Sequence, residues 1–141
     1  MTRSHLVLAA AVYGGALLLV AAWPTHVDED VPVLDAPPSR WLVGQGLSAE
    51  RTYWLIEWAA NVGLFVPFGV LGMLAVKRAT WIRVTAAALV VSGGIEVLQA
   101  VARPGRTADA SDVAANVLGA AVGALGVTTW RRSARRRATE V

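Results

Sequence analysis

Four apolar stretches set what this chain of 141 residues can become: Leu6 to Trp23, Tyr53 to Val76, Trp81 to Ala102 and Val113 to Trp130. At about 1.5 Å rise per residue, about 20 residues of helix cross a hydrocarbon core of about 30 Å, and each stretch is close to that length. Inside lipid the backbone must satisfy its own hydrogen bonds, which a helix does within a single segment. The expected fold is therefore all-α, a polytopic membrane bundle of four transmembrane helices. A hydrophobic content of 55% agrees with that class rather than with an ordinary soluble domain.

Little sequence lies outside these stretches, so a single membrane domain over residues 1–141 is expected, with its core over about 53–130 and a basic tail over 131–141. Arg3 ahead of the first run, with Val20, Ala21 and Ala22 near its end, also fits a cleaved signal peptide. The length of the run and the Trp23-Pro24 stop favour a retained first helix, with cleavage as the open alternative. The chain has no cysteine, so no disulfide framework or thiolate metal site is available.

Charge placement orients the bundle. Arg3 precedes the first stretch, Lys77, Arg78 and Arg83 surround the second connection, and Arg131, Arg132, Arg135, Arg136 and Arg137 follow the fourth stretch. These alternate positions fall on the cytoplasmic side under the positive-inside rule, which puts both termini inside. The acidic first loop, with Asp28, Glu29, Asp30, Asp35 and Glu50, then faces out; Arg40, Arg51, Arg103 and Arg106 run against the count. Trp23, Trp54, Trp81 and Trp130 lie near proposed span ends and read as interfacial anchors. The basic tail has no aromatic platform or soluble module beside it, so it reads as a topology signal near anionic headgroups and not as a nucleic-acid site.

Pro67 lies in the second stretch and predicts a kink, because its ring removes a backbone donor. Gly119 and Gly123, lengthened by Ala115 and Gly126, form a small-residue face suited to close helix packing within the bundle, with homodimerisation as the alternative. In the first loop, Pro24, Pro32, Pro37 and Pro38 discourage a continuous helix, and Ser39 to Ser48 reads as a surface or re-entrant segment.

Polar residues punctuate the later apolar stretches. Glu57 and Asn61 are four apart; Glu96, Gln99 and Arg103 are spaced by three and four; Asp109, Asp112 and Asn116 repeat that spacing. Each set shares one helix face. With the topology above, Asn61 and Glu96 both lie roughly 10 to 12 Å below the outer end of their helices, and Asn116 slightly shallower. A carboxylate in that layer is held most cheaply in the bundle interior. Arg106, on the Pro104-Gly105 turn, is the natural counter-charge to Asp109, Asp112 or Glu96. Asp109 or Ser111 also suits the cap of the last helix.

Two uses of the layer stay open: an interhelical network that fixes the bundle, or an outward cavity. As a cavity it assigns Asn61, Gln99, Asp109 and Asn116 to binding. As a catalytic site it assigns acid–base work to Glu96 or Asp112 and charge stabilisation to Arg106. Ser111 has no evident His partner, and His5 and His26 fall outside the set, so triad chemistry is not indicated. No metal or cofactor is expected.

The segment Asn61-Val-Gly-Leu-Phe65-Val-Pro67-Phe68-Gly69, then Glu96-Val-Leu-Gln99, Arg106-Thr-Ala-Asp109-Ala-Ser-Asp112, Asn116-Val-Leu-Gly119 and Gly123, resembles the VanZ-like family of small bacterial membrane proteins. Order and spacing together carry the likeness, which spans about Asn61 to Gly126. The resemblance implies a multi-pass protein of the bacterial cytoplasmic membrane. Its founding member is associated with low-level resistance to the glycopeptide teicoplanin, which supplies a phenotype and no reaction. The implied partners are the lipid bilayer and, at the polar layer, a lipid-linked cell-wall precursor or a glycopeptide; the oligomeric state is left open.

Overall fold

The structure, a computed structural model, describes residues 2–22, 33–102 and 109–139. Regular structure among them is entirely helical: α1 (Arg3–Ala22), a 3-10 turn (Val33–Asp35), α2 (Pro37–Gly44), α3 (Ala49–Ala75), α4 (Trp81–Ala102) and α5 (Ala110–Thr139). Three helices, α3, α4 and α5, are long and apolar enough to cross a membrane. Helix α1, at 20 residues, is shorter than those three, and its stretch Ser4–Leu19 is apolar. The polytopic, all-α expectation is met on α3 to α5, while α1 falls short of the length they reach.

Local chemistry explains where the helices start. Pro37 and Pro38 open α2 at positions whose N–H would have no helical partner. Ser48 accepts a 3.3 Å hydrogen bond from the Arg51 N–H and starts α3 four residues ahead of the expected Tyr53. Thr80 does the same for the Arg83 N–H at the start of α4. The residues expected as a basic tail are helical through Thr139, because Ala, Arg and Thr continue α5 beyond its apolar part.

The bundle is built around α5, which packs most extensively on α3 and next on α4. At three glycines the α3–α5 seam brings backbone against backbone. A Cβ added to Gly119 would lie 3.1 Å from the Phe65 Cβ and closer still to the Val62 carbonyl oxygen. One added to Gly69 would meet the Ala120 carbonyl and, at 2.8 Å, the Ala124 nitrogen; one added to Gly123 would meet the Val66 carbonyl. The small-residue face is thus spent inside the bundle, as the spacing predicted for Gly119 and Gly123. Gly126 does not belong to it: the buried face runs through Ala120, Gly123, Ala124 and Val127, and nothing approaches Gly126.

Phe65, Leu17, Ala88 and Ala120 form one buried cluster, and Met73, Val84, Ala124 and Val127 a second. Helix α3 continues through Pro67. Pro67 and Gly63, the residue four before it, both face outward, so the ring meets no side chain there. The main chain one turn before the proline is engaged from outside the helix: the Tyr13 hydroxyl of α1 donates to the Leu64 carbonyl. At the far end of α3, Arg131 Nη2 donates to the Met73 carbonyl at 2.8 Å and satisfies one of the last acceptors of that helix. This bond brings the basic part of α5 to the α3–α4 turn. The start of α5 and the end of α4 lie at the opposite end of the bundle.

Candidate functional site

Three polar links converge on the first turns of α5. The Asp109 backbone N–H donates to Glu96 Oε2 at 3.0 Å, joining α4 to the residue that starts α5. Asp109 Oδ1 in turn accepts from the Ser111 N–H at 2.7 Å, so this residue is the cap of α5 and Ser111 is not. Asn61 Nδ2 of α3 donates to Asp112 Oδ1 at 2.8 Å. One turn deeper, Asn116 Nδ2 donates to Ser92 Oγ of α4 at 2.9 Å.

Sequence spacing explains this convergence. Asp109, Asp112 and Asn116 follow one another by three and four and so present successive turns of α5 to its neighbours. Ser92 and Glu96 are four apart on α4 and meet them from one side, while Asn61 meets Asp112 from α3. Two negative side chains at the start of α5 also favour the positive end of its dipole.

Burial differs along the constellation. Glu96 is 6% exposed and Asn116 8%, whereas Asn61, Gln99 and Asp112 are half-buried and Asp109 is exposed. Glu96 is thus a carboxylate held in the bundle with a backbone N–H on one oxygen, the kind of partner that makes burial of such a group tolerable. Asn116 Oδ1 is buried and has no hydrogen-bond partner, which leaves one acceptor open in the interior beneath the exposed end. Half-buried Glu57 lies one turn before Asn61 on α3. Among the described residues no three His, Asp or Glu side chains gather as a metal-binding group.

The expected residues Glu96, Asp109, Asp112, Asn61 and Asn116 are therefore brought to one corner, where α4 ends and α5 begins. Gln99 lies one turn beyond Glu96 on the same α4 face. Arg106 and Arg103 fall outside the described residues, as do Trp23, His26 and the acidic positions Asp28 to Asp30. Two participants were missed. Ser92 could have been found from its spacing of four before Glu96; Tyr13, which braces α3 from α1, carries no such signal, because a lone tyrosine in an apolar run reads as an interfacial ring.

No curated protein and no solved structure matches the chain. The VanZ/LLP1 family model matches residues 12–131, a range that contains α3, α4, the apolar part of α5 and every residue of the polar corner. With three helices of spanning length in that range, this is a multi-pass bacterial membrane protein, and it belongs to the VanZ/LLP1 family.

Proposed function

We propose that the protein is a cell-envelope component whose polar corner faces outward and recognises the head of an amphiphile in the outer leaflet, either a lipid-linked envelope precursor or an amphiphilic antibiotic such as a glycopeptide. The observation that carries this reading is the gradient of exposure across the corner, from buried Glu96 and Asn116 through half-buried Asn61, Gln99 and Asp112 to exposed Asp109. Such a gradient suits a ligand whose polar head enters from the membrane surface and meets fixed donors and acceptors. Glu96 acts by holding the start of α5, and the Asn61–Asp112 pair stands beside it at the more exposed level. Arg106, between α4 and α5, is assigned to a phosphate or carboxylate of the ligand.

In the proposed topology α1 is a fourth crossing and both ends of the chain lie in the cytoplasm, over a single membrane domain. Supporting this, Lys77, Arg78, Arg83 and the α5 extension occupy one end of the bundle and the acidic corner the other, as the positive-inside rule requires.

A second reading rests on the pairing itself: Asn61 with Asp112, Glu96 with the Asp109 amide and Ser92 with Asn116 would suffice to hold three helices together. The test measures binding of a lipid-linked wall precursor to the full-length protein in nanodiscs. Recognition predicts that Asp112→Asn lowers affinity on the order of tenfold, as expected for loss of a charged hydrogen-bond partner, with its melting temperature near that of the parent. Equal affinity accompanied by a lower melting temperature would decide for the purely structural role. Conversion of the precursor, lost in Glu96→Gln, would instead mark the corner as catalytic.

A further inference from the structure

The end of the molecule opposite the polar corner combines charge with a defined membrane depth. Lys77, Arg78 and Arg83 are exposed around the α3–α4 turn, and Arg131 ties α5 to that turn by its bond to the Met73 carbonyl. Beyond Arg131 the helix continues to Thr139, about 12 Å at the usual helical rise, and exposes Arg132, Arg135 and Arg136. No acidic residue among the described ones lies at this end: Asp35, Glu50, Glu57, Glu96, Asp109 and Asp112 all belong to the other half of the bundle.

Two large aromatic rings fix the level of these charges. Trp81 opens α4 and Trp130 directly precedes Arg131, and both are exposed on the bundle surface. Indole rings favour the interface between hydrocarbon and headgroups. Arg78, Arg83 and Arg132, within three residues of those rings, therefore stand at the depth of lipid phosphates.

Arg78 adds an independent observation. It has a φ of 59°, the left-handed conformation that glycine adopts without steric penalty and that most side chains avoid. Glycine would suit the turn better as backbone, yet the position carries an exposed guanidinium. A role for that guanidinium outside the turn accounts for the choice.

We propose that the α3–α4 turn and the arginine-bearing extension of α5 form a binding surface for anionic phospholipid headgroups. Planar guanidinium groups pair with phosphate oxygens in two-point contacts, and several on one rigid support gather such lipids around this end of the bundle. The interfacial rings favour a lipid over a soluble anion, because they place the surface in the headgroup layer. The inference stands independently of what the polar corner recognises.

The experiment is native mass spectrometry of the full-length protein released from nanodiscs that contain phosphatidylglycerol and phosphatidylcholine in equal amounts. The wild type should retain phosphatidylglycerol in preference to phosphatidylcholine. The Arg78→Gly, Arg83→Gln double variant should lower that preference on the order of tenfold, given the typical attraction of each basic residue to an anionic surface. Arg78→Gly alone should weaken retention while holding or raising the melting temperature, because it relieves the left-handed residue; a merely structural Arg78 would move both together or neither. Millimolar inorganic phosphate should leave lipid retention unchanged. Equal retention of the two lipids by the wild type, unchanged preference in the double variant, or displacement of the lipid by inorganic phosphate would each overturn the proposal.

Discussion

Helix α5 holds its two main neighbours by opposite means. Against α3 it presents Gly119 and Gly123 and brings backbone onto backbone, with Gly69 answering from the other side. Against α4 it presents the Asp109 amide and the Asn116 side chain, which meet Glu96 and Ser92. In lipid, apolar side chains gain little by leaving the solvent for one another, so helices are joined by close packing and by hydrogen bonds. Between its polar ends, at Asn61–Asp112 and Arg131–Met73, the seam with α3 is made by leaving atoms out, and the contact with α4 by putting polar atoms in. Only the second kind keeps chemical groups at its open end that another molecule can meet.

This contrast makes the seam sensitive to added atoms and the corner to removed ones. The largest effect should come from Gly119→Ala, whose new methyl would overlap the Val62 carbonyl, a backbone group that cannot rotate away. A loss of about 3 kcal/mol is expected, the upper end of the usual overpacking range, measured by denaturant unfolding in detergent. The same change at Gly126, where nothing lies nearby, should be neutral or slightly stabilising and sets the baseline. Equal effects at the two glycines would mean the backbones do not touch.

Next in size is Glu96→Ala, which strips the Asp109 N–H of its acceptor and should lower stability by about 2 kcal/mol, within the range for a hydrogen bond to a charged group. Hydrogen exchange at the first turn of α5 should accelerate while exchange along the glycine seam does not. Glu96→Gln keeps a carbonyl oxygen for the same amide and should change exchange less. A smaller loss, about 1 kcal/mol for one buried hydrogen bond, is expected for Ser92→Ala, which leaves Asn116 Nδ2 without its acceptor. Retained stability in Ser92→Ala would show that Asn116 turns to another partner.

Much of this arrangement is legible in the sequence. The apolar runs are as long as a bilayer is thick, and the three-and-four spacing of Asp109, Asp112 and Asn116 on α5 and of Glu96 and Gln99 on α4 told which polar residues share a face. The illegible parts have physical causes. Prolines read as helix breakers, yet Pro37 and Pro38 start α2, because the first turn needs no N–H partner. The Arg-rich end of α5 reads as a tail because it is polar all round, although arginine and alanine are good helix formers and α5 is already nucleated. Gly126 lies at the right spacing from Gly119 but to the side of the face buried on α3, and spacing alone does not reveal how the contact face turns along a helix. Tyr13 was illegible for another reason: its partner is a carbonyl in the turn next to Pro67, and main-chain groups leave no mark in the sequence.

The smallest effect bears most directly on the comparison. Asn61 of α3 donates to Asp112 of α5 at one end of a seam along which Gly69, Gly119 and Gly123 bring backbone onto backbone. If the seam positions the two helices by itself, this bond adds little to stability, and a double-mutant cycle with Asn61→Ala and Asp112→Ala should return a coupling of about 0.6 kcal/mol, the typical value for such pairs in membranes. The two groups are then held in place mainly by the backbone, and a ligand that replaces the bond between them gives up little stability. A coupling of about 2 kcal/mol or more would reverse that conclusion: the pair would be fastening the helices, and a ligand that broke it would have to supply that energy from its other contacts. Measuring the same cycle with a lipid-linked precursor present separates the cases, since a ligand that uses the pair should lower the coupling and one that binds elsewhere should leave it unchanged.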